Sequence, residues 1–148
     1  MTRTNAREIV VHLIYGINYT KESTDETIVR RFAKDYYETL ADENEVYADR
    51  PDQKQMNYIS AVVAGIEEKQ AELDGYIEKY AIGWSLDRIS RLSRSVMQLA
   101  MYEILYVDDV PTSAAINEAV ELTRKYEDED MVSFVNGVLG SFVRGEIK

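Results

Sequence analysis

The side chains of this sequence that could do chemistry fall into three groups, and none has the spacing of a catalytic centre. Arg3, Arg7, His12 and Tyr15 recur at helical intervals near the start. Two guanidinium groups and a phenol along one helix can hold a phosphate backbone and a base, although solvated arginines and an edge tyrosine fit the same spacing. The one histidine, His12, lacks the converging partners that a metal site requires, and it is assigned no chemistry. Asp42, Glu43, Glu45, Asp49 and Asp52 form an acidic stretch without the glycine and ligand alternation of a calcium loop. Arg88, Arg91 and Arg94, three apart, could line one positive ridge or pair with the surplus of carboxylates, 27 acids against 17 bases favouring the pairing. There is no cysteine, no glycine-rich phosphate loop and no Ser/His/Asp arrangement. No catalytic residue, metal ligand or cofactor site is therefore expected, and a binding function remains.

The elements that must position these groups read as helices. Asn5 and Glu8 have capping-box spacing, and Ala6, Ile9, Val10, Leu13 and Ile17 form the first apolar stripe. Ser23 and Glu26 repeat the cap, predicting a second helix over about 25–40 that buries Ile28 or Val29, Phe32, Tyr36 and Leu40. Residues 41–52, with Pro51, read as a surface loop. A third helix carries Met56, Ile59, Val63 and Ile66 inward, and after a break near Gln70 another carries Leu73, Ile77 and Tyr80, with Gly83 as its stop. Leu92, Val96, Leu99, Ala100 and Ile104 mark a helix over about 90–106. Pro111 then opens a hairpin of two stripes: Ala115, Ala119, Leu122 and Tyr126, followed by Met131, Phe134, Val135, Val138, Leu139 and Phe142. Asp130 is placed to cap the last helix.

Seven glycines, two prolines and no period-2 segments in 148 residues favour an all-α fold. The reading is one compact domain, 1–148, of two small bundles, about 5–80 and about 84–144, with Trp84 as the buried plug between them. No apolar run approaches the roughly 20 residues that span a bilayer, and no signal region opens the chain, so a cytoplasmic protein is expected. The net charge of −10 disfavours nonspecific attraction to nucleic acid, so RNA binding must be local or shared with a basic partner.

Three literal strings add to this. AINEAVEL and FVNGVL, separated by a short acidic turn, resemble the C-terminal signature of the NusB family of transcription antitermination factors. WSLDRI at 84–89 with SVMQLAMYEI at 95–104 is similar to that family's tryptophan-containing link and next helix, and AREIVVHLIY at 6–15 to its first helix. Residues 21–80 match only in helical pattern. The resemblance implies an adaptor that joins the ribosomal protein NusE on boxA-type RNA within the transcription elongation complex, promoting elongation of ribosomal RNA transcripts. It implies RNA contacts at Arg3, Arg7 and Tyr15, and partner contacts at Glu118, Tyr126, Asp130 and Phe134.

The sequence departs from the family pattern where a run of consecutive arginines shrinks to Arg3, Thr4, Asn5, where Thr112 replaces an aromatic, and where Gln98 replaces an arginine at the rim of the partner surface. Two alternatives stay open: a helical interaction module without RNA binding of its own, and an RNA-presenting module like that fused to RNA cytosine methyltransferases. The chain ends soon after its last helix and lacks the cysteine nucleophile of such an enzyme, which favours the free-standing adaptor. Monomer and homodimer both remain open.

Overall fold

The computed structural model describes residues 1–147, and every regular element among them is helical. The order is α1 (Arg3–Thr20), α2 (Thr24–Arg31), α3 (Lys34–Leu40), α4 (Gln53–Glu68), α5 (Gln70–Tyr80), α6 (Arg91–Tyr106), α7 (Thr112–Tyr126) and α8 (Glu129–Glu146), with 3-10 turns at Glu45–Tyr47 and Leu86–Arg88. Two compact units result, Met1–Glu67 and Glu68–Lys148. The boundary corrects the expected division near residue 80, because α5 packs against α6 and α8 in the second unit.

In the first unit α1 is the central helix. Ala6, Ile9, Val10, Val11, Leu13, Ile14 and Ile17 are all buried, a wider face than one stripe, as befits a helix covered on several sides. Its cap is Thr2, whose hydroxyl accepts from the Asn5 N–H at 3.1 Å, so the Asn5 cap was one turn late. Lys21 ends the helix in the left-handed region at φ 60°.

Ser23 caps α2 as expected, accepting from the Glu26 N–H at 3.2 Å, but the helix to Leu40 is broken after Arg31. The break shifts the inward face: Thr27 and Tyr37 are buried, whereas Val29 and Tyr36 are exposed. Tertiary contacts hold the break, with Phe32 stacked on Tyr37 at 5.5 Å and Arg50 Nη2 donating to the Phe32 carbonyl at 2.6 Å. Residues 41–52 are not wholly surface either, since Val46 and Tyr47 of the 3-10 turn lie in the core.

The second unit is built around α6, where Val96, Met97, Leu99, Ala100 and Met101 are buried together with Ser93, Ser95, Gln98 and Glu103. Leu92 and Ile104, predicted core, are half-buried. Gln98 has no exposed area, so its side chain is interior and not part of a rim. The α7–α8 hairpin packs on α6, and Asp128 caps α8 in place of Asp130, accepting from the Met131 N–H at 2.9 Å. Val132, Val135, Val138, Leu139 and Phe142 are its buried positions.

Trp84 overturns its expected role. It is 45% exposed, because α5 ends at Tyr80 and a turn through Gly83 at φ 84° carries the indole outward.

Two glycines of α8 give a paired prediction. Alanine at Gly137 meets open space and should raise stability by up to about 1 kcal/mol through helix propensity. At Gly145 a Cβ would overlap the Tyr80 ring and hydroxyl, which donates to Glu146, so Gly145→Ala should bring a loss. Thermal melts of both variants rising together would refute that packing.

Candidate functional site

The first group of expected site residues lies along α1. Arg3 donates from Nε to Gln55 Oε1 at 2.9 Å and lays its guanidinium 4.0 Å from the centre of the Tyr58 ring. Its Nε is thereby taken, so contact with a phosphate falls to the Nη groups. Arg7 is 9% exposed and has an interaction partner, so little of it is open to solvent. Tyr15 is 41% exposed. Of the three, Tyr15 is the accessible one and Arg3 the reachable cation.

A separate polar network occupies His12. The Tyr47 hydroxyl lies 2.6 Å from His12 Nδ1 and accepts from Arg31 Nη1 at 2.6 Å, which leaves its own proton for the imidazole. Burial pushes the Tyr47 phenol up to about 12, opposed by the Arg31 charge. Glu8 completes the cluster, with Oε2 3.7 Å from His12 Nε2 and accepting from Asn44 Nδ2 at 3.4 Å. These contacts clamp the Glu45–Tyr47 turn onto α1 and α2, a structural use of the histidine.

The second group lies on α7 and α8. Glu118, Leu122 and Tyr126 follow one another at intervals of four, so they share one ridge of α7; Glu118 is half-buried and Tyr126 is 38% exposed. Lys125 Nζ lies 5.5 Å from the centre of the Tyr126 ring. Asp130 is exposed, and Phe134, one turn further along α8, is half-buried. Phe134 is thus neither interior nor a free anchor: its ring packs on Trp84, centroids 5.1 Å apart at 52°. Arg124 bridges the hairpin turn, donating to Glu121 and, at 3.3 Å, to Glu129.

The three regularly spaced arginines do not form one ridge. Arg94 is bound through two N–H groups by the Asp74 carboxylate, which also accepts from Gln98 Nε2 at 2.8 Å, whereas Arg88 and Arg91 are exposed. Sequence reasoning missed the outward turn at residues 82–84, where Ile82 is 87% exposed beside Trp84. The signal was Gly83, read there as a helix stop without its consequence for the neighbouring side chains.

Among the described residues no three His, Cys, Asp or Glu side chains converge as a metal site, and no helix is long and apolar enough to cross a membrane. What the two groups offer is an exposed aromatic on α1 with a cation near the start of the same helix, and an aromatic and acidic surface on α7 and α8.

The family model described as "NusB family" matches residues 4–144. The transcription antitermination protein NusB of Ruminiclostridium cellulolyticum is 40% identical over 147 residues, covering 99% of this chain and 92% of that protein. The same protein of Acetivibrio thermocellus is 39% identical, with 97% and 90% covered. A solved structure of NusB from T. maritima superposes with a TM-score of 0.80 at 26% identity, covering 97% of this chain and 92% of that one. The structure of antitermination factors NusB and NusE in complex with dsRNA shares the fold, with a TM-score of 0.76 at 22% identity, covering 97% of this chain and 96% of that one.

Proposed function

The chain belongs to the NusB family, and from that premise we propose that it is a transcription antitermination factor: a non-enzymatic, cytoplasmic adaptor that binds boxA-type RNA together with NusE in the elongation complex. The observation that carries the reading is relatedness over nearly the whole length, 40% identity across 99% of the chain. NusB and NusE occur together with RNA in a solved complex of the same fold, which supports the choice of partners. In this reading Tyr15 and Arg3 make the RNA contacts of α1, and Arg7, at 9% exposure, adds little to them. Glu118, Tyr126, Asp130 and the free edge of Phe134 receive NusE.

The charge argues for cooperation between the two ligands. A chain of net charge −10 with one or two accessible cations on α1 gains little from phosphates alone, so affinity for RNA is expected to be weak without NusE. About one or two phosphate contacts to a single strand give a slope of log affinity against log salt of only about −0.7 to −1.4.

Fluorescence anisotropy of a labelled boxA-type RNA, with and without NusE, tests this. Binding should tighten when NusE is added, and Tyr15→Ala should weaken the ternary complex by about 1–3 kcal/mol if the ring stacks on a base. Arg3→Ala should flatten the salt slope by about 0.7. RNA that ignores NusE, or a Tyr15→Ala variant with parental affinity, would leave the α1 assignment without support.

A further inference from the structure

We infer that Trp84 and Arg88 form a second contact for single-stranded RNA, on the second unit, with Trp84 stacking on a base and Arg88 holding a phosphate beside it. The inference rests on the function proposed above and adds a site that α1 does not contain.

Trp84 is the largest apolar side chain of the protein, yet it is 45% exposed. The turn that presents it is fixed on both sides. The Trp84 N–H donates to the Ala81 carbonyl at 3.0 Å, and Gly83 takes the positive φ of 84° that a side chain would resist. Phe134 then supports the indole from one side, centroids 5.1 Å apart at 52°. A ring held in this way loses little rotational freedom when a ligand arrives, which is what a stacking platform needs.

Charge complementarity selects the occupant. The 3-10 turn Leu86–Arg88 follows directly, its Arg88 N–H bonded to the Ser85 carbonyl at 3.0 Å, and it places Arg88 within four residues of the indole. Arg88 is exposed, while Arg94 is held by Asp74. An exposed aromatic and an exposed guanidinium carried by one short stretch of chain offer the combination that single-stranded nucleic acid binds, the base on the ring and the backbone on the cation. Asp87 is exposed in the same 3-10 turn, and Asp130 is exposed in the first turn of α8, ahead of Phe134. They oppose a continuous phosphate track, so one phosphate per base stacked is the fitting load, and a carboxylate there can accept from an exocyclic amine.

Trp84 is the only tryptophan, so the tryptophan emission of this chain comes from this surface. The experiment titrates the full-length protein with a short boxA-type RNA in the presence of a tryptophan-free NusE, reading Trp84 emission and RNA anisotropy together. Saturable quenching of Trp84 that tracks the anisotropy is the expected result. Trp84→Ala should raise the Kd for RNA about 5- to 150-fold, while Trp84→Phe keeps most of the affinity. Arg88→Ala should make the salt slope shallower by about 0.7. Circular dichroism melts confirm that each variant folds.

Unchanged Trp84 emission while the RNA binds overturns this inference and leaves the proposed function standing. A response of Trp84 to NusE without RNA, with no further change when RNA is added, also overturns it and makes the surface a protein contact. Absence of any RNA complex defeats the proposed function and this site with it.

Discussion

Replacing Phe142 by alanine is expected to destabilise the protein by about 3–5 kcal/mol, the cost of deleting a large buried ring and leaving a cavity that the surroundings fill only in part. Phe142 has no exposed area and meets Tyr76 and Tyr80 of α5 edge-on, with centroids 5.1 and 6.1 Å away. These contacts join α5 to α8, so the loss should concentrate there. Urea unfolding should show a lower midpoint with an unchanged slope, and hydrogen exchange of residues 70–80 should accelerate more than that of α6. A loss below about 1.5 kcal/mol would mean that the tyrosines collapse into the vacated space.

That α5 depends on α8 could not be read from the chain. Leu73 and Ile77 give a clear helical stripe, but a stripe states only that a face is buried and not against which partner. Proximity in sequence favoured the N-terminal bundle; the packing around Phe142 chose the other. The break between α2 and α3 was hidden for a related reason. Nothing local stops a helix at Phe32, and Ala33 precedes α3 without a side-chain cap, so the interruption rests on Arg50 and Tyr37, residues that come later in the chain.

Where local chemistry decides, the sequence was informative: the Ser23 cap, the break near Gln70, and the stripe of Val135, Val138, Leu139 and Phe142 all appear. The candidate site divided along the same line. Strings such as FVNGVL identify a family, and Tyr15 is indeed on the surface of α1. The engagement of Arg3 by Gln55 and Tyr58, and the outward turn of Trp84, depend on contacts and a backbone angle that no helical wheel contains.

The second large effect is expected at Asp74, whose carboxylate serves three donors. Oδ1 accepts from Arg94 Nε at 3.1 Å and Gln98 Nε2 at 2.8 Å, and Oδ2 accepts from Arg94 Nη2. Hydrogen bonding to Asp74 raises the Arg94 pKa above its ordinary value, against a lowering by burial. Asp74→Ala would leave the two donor residues in different positions. The Arg94 side chain is 27% exposed and can turn toward water or toward Glu78, whose charge also acts on it, so its loss is modest. Gln98 has no exposed area, and its Oε1 already lacks a protein partner. Without Asp74 the amide would be buried with both ends unsatisfied. The expected cost of Asp74→Ala is about 2–3 kcal/mol, most of it due to Gln98 and not to the ion pair. A double-mutant cycle separates the two contributions, because Gln98→Leu removes the buried amide at nearly constant volume. Asp74→Ala measured in the Gln98→Leu background should then cost about 1 kcal/mol or less. Equal costs in both backgrounds would assign the loss to Arg94 instead, and would make Asp74 an ion-pair partner whose contribution fades with added salt.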